Sequence, residues 1–239
     1  HPRVRRQRQM CIRDRQYFQI QLKPHFYLNC LKTLYGMIQQ NKGNDAQQMI
    51  LYVSQYIRYT FRDNSSLVPL QTELNQVQNY YKLQKLNTRD SSELTISADP
   101  AVSKFPVPML CIQTFVENSF KHGRISSQPL NVHISVQLTE TEEGNYLNIS
   151  IQDNGTGFPD EFLQSFLQHT EDAVTGQHIG IHNLRQRLTL LYGDQAGLIC
   201  MNNSSGAMTE IILPIQEEPN TSSETKSSLL SNENLFSLS

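Results

Sequence analysis

Apolar residues recur at helical spacing through the first third of the chain. Between residues 17 and 87 most of them fall three or four positions apart, so that successive apolar side chains share one helix face. They are Phe18, Leu22 and Phe26, then Leu31, Leu34 and Ile38, then Met49, Ile50, Val53 and Ile57, and finally Leu70, Leu74, Val77 and Tyr81. The pattern predicts three helices.

Breaks in this pattern separate the helices. The first two are divided near Asn41, Gly43 and Asn44, and the second and third by residues 64–66 followed by Pro69. Asparagine, glycine, serine and proline interrupt helices in this way. The first pair therefore forms an antiparallel hairpin. Because such a hairpin has too little core by itself, we expect it to pair with a second copy into a four-helix bundle.

After Leu94 the apolar pattern changes to a period of two. Val132, Ile134, Val136 and Leu138 alternate with polar residues, as do Leu147, Ile149 and Ile151 after a turn at residues 143–145. This alternation predicts a β-hairpin with one buried face. Helices at about 107–122, 160–168 and 181–192 and strands near 198–201 and 209–213 complete an antiparallel or mixed sheet covered by helices. The fold class is α+β, a helical hairpin followed by an α/β sandwich.

Composition indicates an ordinary soluble domain or two. The 239 residues are 38% hydrophobic with a net charge of -2, which gives no indication of a nucleic-acid partner. Cys11, Cys30, Cys111 and Cys200 are far apart and match no metal-ligand spacing, so we interpret them as reduced thiols, mostly in the core. No run reaches the roughly 18 apolar residues of a membrane span, and no signal peptide is indicated.

The chain divides into four parts. Residues 1–15 hold six arginines without an apolar period and are interpreted as a non-native leader, the alternative being a basic segment that faces anionic lipid. Residues 16–90 form the helical region and residues 91–216 the sheet domain. Residues 217–239, rich in Ser, Asn and Glu, are predicted to be a disordered tail. Since the chain does not begin with Met, we expect further sequence upstream.

The first of three chemically suggestive segments is residues 115–123 (FVENSFKHG). It places Glu117, Asn118, Lys121 and His122 on adjoining turns of a helix that ends at a glycine. An amide oxygen there can ligate Mg²⁺ without adding charge, and a lysine or histidine one turn later can reach a phosphate. Taken alone, this segment is more simply explained as the polar, solvent-facing side of a helix.

The second segment, residues 149–158 (ISIQDNGTGF), ends a buried strand at Asp153, followed by Gly155 and Gly157. A carboxylate fixed at a strand end can accept a hydrogen bond from an exocyclic amine such as that of adenine, and glycines let the backbone pass close to a ligand. The alternative is a hairpin turn, which Asn-Gly commonly forms. It is disfavoured because a helical stretch, rather than a returning strand, follows the glycines.

The third segment is residues 176–188 (GQHIGIHNLRQRL), a glycine-bearing loop that leads into an amphipathic helix. Gly180 lies where the helix starts. The unpaired N–H groups and the dipole of such a helix start suit a phosphate. A loop of this kind is weak evidence by itself.

Together, the order and spacing of these segments resemble the N, G1 and G2 boxes of the GHKL ATP-binding superfamily, which includes histidine kinases, Hsp90, gyrase B and MutL. The resemblance implies a Bergerat-type ATP-binding domain that uses ATP and Mg²⁺, with residues 158–178 as its lid. By position, Asn118 would hold Mg²⁺, Asp153 would read adenine, Gly155 and Gly157 would border the lid, Gly180 would lie against the phosphates, and Lys121 and His122 would belong to the same site.

Thr114 bears on the reaction type. The ATP-hydrolysing members of the superfamily place a water-activating glutamate four residues before the magnesium asparagine, where this chain has Thr114. The resemblance therefore favours phosphoryl transfer to a protein group over hydrolysis. Glu117, adjacent to Asn118, is the candidate catalytic carboxylate that would polarise the acceptor.

Upstream, residues 20–29 (IQLKPHFYLN) resemble the phosphoacceptor box of the LytS/YesM-type sensor histidine kinases, Q-I-x-P-H-F-L-F/Y-N. This implies that His25 is the phosphorylated residue. Residues 54–59 resemble the second helix motif of that family, L-S-x-x-L-R-Y. Residues 70–81 resemble a third motif, V-x-L-x-x-E-L-x-x-V-x-x-Y, in which Glu73 occupies the glutamate position. The similarity covers residues 19–214.

The residues around His25 also suit an acceptor on physical grounds. Pro24 has no N–H, so a helix through it loses the bond to the Ile20 carbonyl and bends, which lifts His25 from the bundle. A neutral imidazole nitrogen can then attack a γ-phosphate. We interpret His133, His169, His178 and His182 as surface or strand residues, although position 178 departs from the Gly-x-Gly often found there.

The sequence thus predicts a homodimeric sensor kinase of a two-component phosphorelay, which phosphorylates itself from Mg-ATP and passes the phosphoryl group to an aspartate of a response-regulator receiver domain. The resemblance implies a full-length membrane protein with this part on the cytoplasmic side. Two alternatives stay open. One is a catalytically weak ATP-binding dimerisation partner, and the other is a GHKL ATPase, which Thr114 disfavours.

Overall fold

The structure is a computed structural model and describes residues 24–61, 67–88, 91–123, 125, 128–142, 144–168 and 178–215 of the 239. The predicted leader, the predicted tail and most of the residues before His25 lie outside this part. The side chains of Pro24 and His25 also lie outside it. The boundaries near residues 90 and 216 stay predictions.

The described part of the helical region contains an antiparallel hairpin, as predicted. Helix α1 (Pro24–Gln39) and helix α2 (Gly43–Thr60) are joined by a tight turn in which Asn41 has a φ of 58°. Asparagine tolerates this left-handed conformation better than most residues do. Helix α3 (Leu70–Thr88) packs against both. The buried residues of their shared cluster are Cys30, Met37, Ala46, Met49 and Leu83.

In its described part, the second region is built on a mixed five-stranded sheet. Its strands are β2 (Glu93–Ala98), β4 (Asn131–Thr141), β5 (Gly144–Asp153), β6 (Gly197–Asn202) and β7 (Ala207–Pro214). They lie side by side in the order β2-β4-β5-β7-β6. Strand β2 is parallel to β4, whereas the other neighbours are antiparallel. The predicted hairpin is confirmed as β4–β5, and its register sets Asp153 opposite Val132.

The described part of this region includes three α-helices: α4 (Cys111–His122), α5 (Asp160–Gln168) and α6 (Ile179–Tyr192). The inward residues of the strands and the apolar faces of these helices share one core, which includes Ile134, Ile149, Ile151, Ile211 and Val116. The guanidinium of Arg185 on α6 lies 3.3 Å from the ring centre of Phe166 on α5 and donates to its carbonyl oxygen at 2.7 Å. These contacts hold α5 against α6.

The predicted helix start at residue 107 is wrong. Pro106–Pro108 forms a short strand, β3, that pairs antiparallel with Leu67–Pro69, β1, and the helix starts at Cys111 after Leu110 with a φ of 64°. Proline disfavours helical geometry in the residue before it, so Pro108 holds Val107 in extended backbone. The two proline-flanked strands are edge elements, where a missing N–H is tolerated.

Three of the four cysteines fall in the described part, and all three are free and buried, as predicted. Burial raises the pKa of Cys30 to about 11 and that of Cys200 to about 12. Thiols of this kind are unreactive. Within the described residues, none of the helices combines the length and the apolar composition needed to cross a bilayer.

The carboxylate of Glu73 joins the helical region to the sheet region. It is fully buried in α3 and accepts hydrogen bonds from the backbone N–H groups of Leu110 at 2.9 Å, and of Ile112 and Gln113 at 3.1 Å each. The hydroxyl of Tyr59 on α2 donates to it as well. Burial raises the pKa of Glu73, while these hydrogen bonds act in the opposite direction. Glu73 thus supplies α4 with the N-terminal cap that its own sequence lacks.

We predict that Glu73→Gln lowers the free energy of unfolding by about 2 kcal/mol, because the glutamine NH₂ group would face backbone N–H donors. Urea unfolding of the two proteins measures the difference. Glu93→Gln makes the same chemical change at an exposed position and should leave the midpoint unaltered. Equal midpoints for all three proteins would contradict the capping role.

Candidate functional site

A cavity of about 220 Å³ opens between α4, the end of β5 and the loop that follows β5. Four of the residues predicted for the site lie in its lining: Asn118, His122, Asp153 and Gly157. Among the described residues, Glu117, Lys121, Gly155 and Gly180 are not part of the lining. The structure therefore brings half of the predicted cluster to one cavity.

Asp153 is held rigidly at this cavity. It is buried at the end of β5, and its Oδ2 accepts a hydrogen bond of 2.5 Å from the Ser119 hydroxyl on α4. Its Oδ1 accepts from the backbone N–H groups of Gly155 at 2.9 Å and Ala207 at 3.2 Å. Four oxygen lone pairs are available on a carboxylate, so these donors leave capacity for a ligand amine.

Ser119 was not among the predicted site residues. It is the residue after Asn118 and faces the core side of α4, where it meets Asp153, 34 positions further along the chain. Gly206 was missed too. A Cβ at Gly206 would lie 2.5 Å from the Asp153 carbonyl oxygen, so the β6–β7 turn needs glycine to approach the site. Neither residue has a local sequence signal, because both roles depend on distant contacts.

The two glycines after Asp153 have different roles. Gly155 packs against the end of α4, and a Cβ there would lie 2.2 Å from the Gly123 carbonyl oxygen. Gly157 lines the cavity with a φ of +77°, a conformation that favours glycine. The loop is held by Asn202, whose side chain accepts from the Phe158 N–H at 2.7 Å and donates to the Phe158 carbonyl at 2.8 Å.

The polar residues of α4 divide between two sides of the helix. Asn118 is half-buried in the cavity lining, and His122 lines its mouth, where its carbonyl oxygen accepts from the Thr156 hydroxyl at 3.1 Å. Lys121 is exposed beside them. Glu117 instead faces the helical region, where its Oε1 accepts from the Tyr56 hydroxyl at 2.6 Å and from the Gln113 amide at 3.0 Å.

His178 is a site residue that the sequence interpretation missed. It lies in the cavity lining, with its ring centre 4.2 Å from that of Phe162 and 6.2 Å from that of His122. Burial, followed by the charges of His122, His182 and Lys121, lowers its pKa. The interpretation of His178 as a surface or strand residue is therefore wrong. The one sequence signal for this placement was that position 178 holds a histidine where Gly-x-Gly is often found.

Gly180 is the second residue of α6, two positions after His178 of the cavity lining. It is exposed in the first turn of α6, and a Cβ there would lie 3.2 Å from the Thr114 methyl group on α4. The Thr114 hydroxyl donates to the Leu110 carbonyl oxygen at 2.7 Å. Residues 158–168 of the predicted lid include α5, as the helical pattern there indicated, and the next residues lie outside the described part.

The acceptor His25 lies in the first turn of α1, with its side chain outside the described part. Its neighbour Phe26 packs on Tyr56 and Tyr80, with ring centres 5.1 and 6.0 Å apart. Since Tyr56 also contacts Glu117, the first turn of α1 and Glu117 lie on the same side of α4.

The donor set fits a nucleotide with Mg²⁺. The described part holds no group of three or more His, Cys, Asp or Glu side chains that could bind a metal by themselves. Mg²⁺ bound to a nucleotide takes most of its ligands from phosphates and water, and one amide oxygen such as that of Asn118 suits it. The fixed carboxylate of Asp153 suits an adenine amine.

Two family models match the chain. The model described as histidine kinase matches residues 14–92, and the one described as histidine kinase-, DNA gyrase B-, and HSP90-like ATPase matches residues 107–219. Their order along the chain agrees with the helical region followed by the sheet region.

Curated relatives give the same result. The sensor protein LytS of Staphylococcus epidermidis is 29% identical over 197 residues, which cover 82% of this chain and 33% of the relative. An uncharacterized sensor-like histidine kinase of Staphylococcus epidermidis is 32% identical over 196 residues, with coverages of 81% and 37%. The chain thus spans about a third of the length of the curated relatives it matches.

Among solved structures, the histidine kinase domain of a blue-light activated histidine kinase from Erythrobacter litoralis aligns with a TM-score of 0.45 and 14% identity, over 80% of this chain and 93% of that chain. A likeness of this degree adds no argument to the family models.

We predict that Gly155→Ala destabilises the protein by about 2 kcal/mol, because the new methyl group would collide with the Gly123 backbone and neither segment can shift freely. Thermal unfolding measures the loss. Gly43→Ala is the matched control, since a Cβ at Gly43 meets nothing within 4 Å. It should be neutral or slightly stabilising. A melting temperature of Gly155→Ala equal to that of the wild type would show that the two segments are not in close contact.

Proposed function

Since the chain belongs to the LytS/YesM-type sensor histidine kinases, with a GHKL-type ATP-binding domain, we propose that it transfers the γ-phosphoryl group of ATP to its own His25. A receiver-domain aspartate of a response regulator would then take the phosphoryl group. The observation that carries the proposal is the cavity in which the fixed carboxylate of Asp153 and the amide of Asn118 meet.

The nucleotide would bind with its adenine at Asp153. Oxygens of the Asp153 carboxylate accept from the adenine amine, while Ser119 and two backbone N–H groups keep the carboxylate in place. Asn118, His122, Lys121 and the start of α6 at Gly180 would hold the phosphates. Gly157 would let the backbone loop lie against the nucleotide, while Gly155 lets the same loop pack against the end of α4.

Asn118 would hold Mg²⁺, which would supply charge neutralisation at the transferred group. Lys121 would add positive charge there, and His122 at the cavity mouth would add a polar ring. The first turn of α6 would supply further backbone donors for the phosphates, since helix N-termini favour anions. Most of the catalysis is thus positioning and charge neutralisation.

In the transfer step, an imidazole nitrogen of His25 forms a bond to the γ-phosphorus while the bond from that phosphorus to the β,γ-bridging oxygen breaks, releasing ADP. Glu117 accepts the proton that the imidazole loses. The position of Glu117 on the side of α4 that faces α1, through Tyr56 and Phe26, supports this assignment.

Thr114 supports transfer over hydrolysis. A hydrolase needs a base that activates water, and threonine has no carboxylate. The Thr114 hydroxyl is also engaged with the Leu110 carbonyl oxygen. A catalytically weak ATP-binding partner is the second candidate, and the labelling experiment below separates it from a kinase.

The proposal extends to assembly and location. Leu28, Leu31, Tyr35 and Ile38 are 63, 60, 64 and 59% exposed and lie at spacings of three and four along α1. Such a stripe is typical of the seam between two helices. A homodimer through α1 would cover it and complete a four-helix bundle. For the full-length protein we propose attachment to the membrane, with this region on its cytoplasmic side.

Incubation of the purified chain with γ-labelled Mg-ATP should give an acid-labile, alkali-stable label. We expect His25→Gln to abolish it, because glutamine has no nucleophilic nitrogen, and Asn118→Asp to reduce it at least about 100-fold, because an added charge disturbs the Mg-phosphate site. His133→Gln, an exposed histidine on β4, is the control and should label normally. Label that survives His25→Gln would exclude His25 as acceptor, and ATP binding without label would favour the weak-partner function.

We also predict that Leu31→Glu converts a dimer into a monomer, because a carboxylate would be buried in the apolar seam of the bundle. Light scattering coupled to size exclusion measures the mass. Leu190→Glu changes an equally apolar residue that is 73% exposed on α6, outside the stripe, and should stay dimeric. If the wild type is a monomer at all concentrations, or the Leu31→Glu variant a dimer, α1 does not form the interface.

A further inference from the structure

Tyr56 connects the helical region directly to Glu117. Its hydroxyl donates to Glu117 Oε1 at 2.6 Å across 61 positions of sequence, and the Gln113 amide donates to the same oxygen at 3.0 Å. Two donors from different helices therefore fix the direction of this carboxylate. A glutamate side chain with three rotatable bonds is otherwise poorly oriented.

The ring of Tyr56 also contacts the first turn of α1. Its centre lies 5.1 Å from that of Phe26 and 6.4 Å from that of Tyr27, the two residues that follow His25. On its other side it lies 5.8 Å from the ring of Tyr80 on α3. Tyr56 is 4% exposed, so packing on two sides fixes the ring, and the ring in turn fixes its hydroxyl.

We propose that Tyr56 is a positioning residue for phosphotransfer, which holds the Glu117 carboxylate towards the first turn of α1, where His25 lies. The inference rests on the proposed function and deepens it by assigning a role to a residue of the second helix. Glu117 accepts the imidazole proton as the nitrogen–phosphorus bond forms, and Tyr56 keeps its own proton throughout.

The chemistry of Tyr56 suits this role. Burial, with smaller effects from Tyr80 and Tyr27, raises its pKa well above the ordinary value, so the hydroxyl remains a donor. The donors from Tyr56 and Gln113 both reach Oε1 of Glu117, so they orient the carboxylate from one oxygen.

Removal of the hydroxyl tests the inference. Tyr56→Phe keeps the ring and should lower the rate of His25 labelling by about tenfold, with the KM for ATP unchanged, because Tyr56 does not line the nucleotide cavity. Tyr52→Phe removes a hydroxyl one turn earlier on the same helix, where the ring packs against the smaller core cluster. This control should label at the wild-type rate.

A double-mutant cycle separates positioning from a structural effect. If Tyr56 acts through Glu117, adding Tyr56→Phe to Glu117→Gln should change the remaining rate by less than about twofold. A further tenfold loss in that background, or a raised KM for ATP, would overturn the inference. Normal labelling of Tyr56→Phe would overturn this inference and leave the proposed function intact. A wild type that forms no phosphohistidine would overturn both.

Discussion

Much of this structure depends on the placement of one buried carboxylate. Glu73 lies at the point where α4 begins and accepts three backbone N–H groups there, while Tyr59 donates to it from α2. Helix α4 has no capping side chain of its own, since Leu110 precedes it with a left-handed backbone. A buried carboxylate is costly unless donors surround it. The α3 helix can therefore pack only where it meets the start of α4, and the two regions are joined with a defined geometry.

Helix α4 carries residues for both parts of the proposed reaction, nucleotide binding and proton transfer from the phosphoacceptor. Successive residues on a helix point about 100° apart. Asn118 and Ser119 consequently face the cavity and Asp153, whereas Glu117 faces Tyr56 and the hairpin. A change in the hairpin that shifts Tyr56 or Tyr59 would act on the same helix that bounds the nucleotide cavity. This arrangement gives a physical route by which the phosphoacceptor helices and the nucleotide site affect each other.

The elements with a strong local pattern were predicted well. The helical hairpin, the third helix and the β4–β5 hairpin follow from periodicities of 3.6 and 2, because one face of each is buried. The start of α4 was misplaced by four residues because two prolines, which can open a helix, here belong to an edge strand. The pairing of that strand with residues 67–69 has no local signal.

By itself the sequence determined the order of the regions and the chemical identity of the proposed site, through Asn118, Asp153, Gly157 and the histidine after Pro24. It did so because these residues stand in short segments whose spacing reflects local backbone geometry. The tertiary structure alone decided which residues support them. Ser119, Gly206, Asn202 and His178 at the cavity, and Tyr56 at Glu117, act across long stretches of chain. Contacts of that kind depend on how helices and sheet pack together, and no periodicity in the sequence records them.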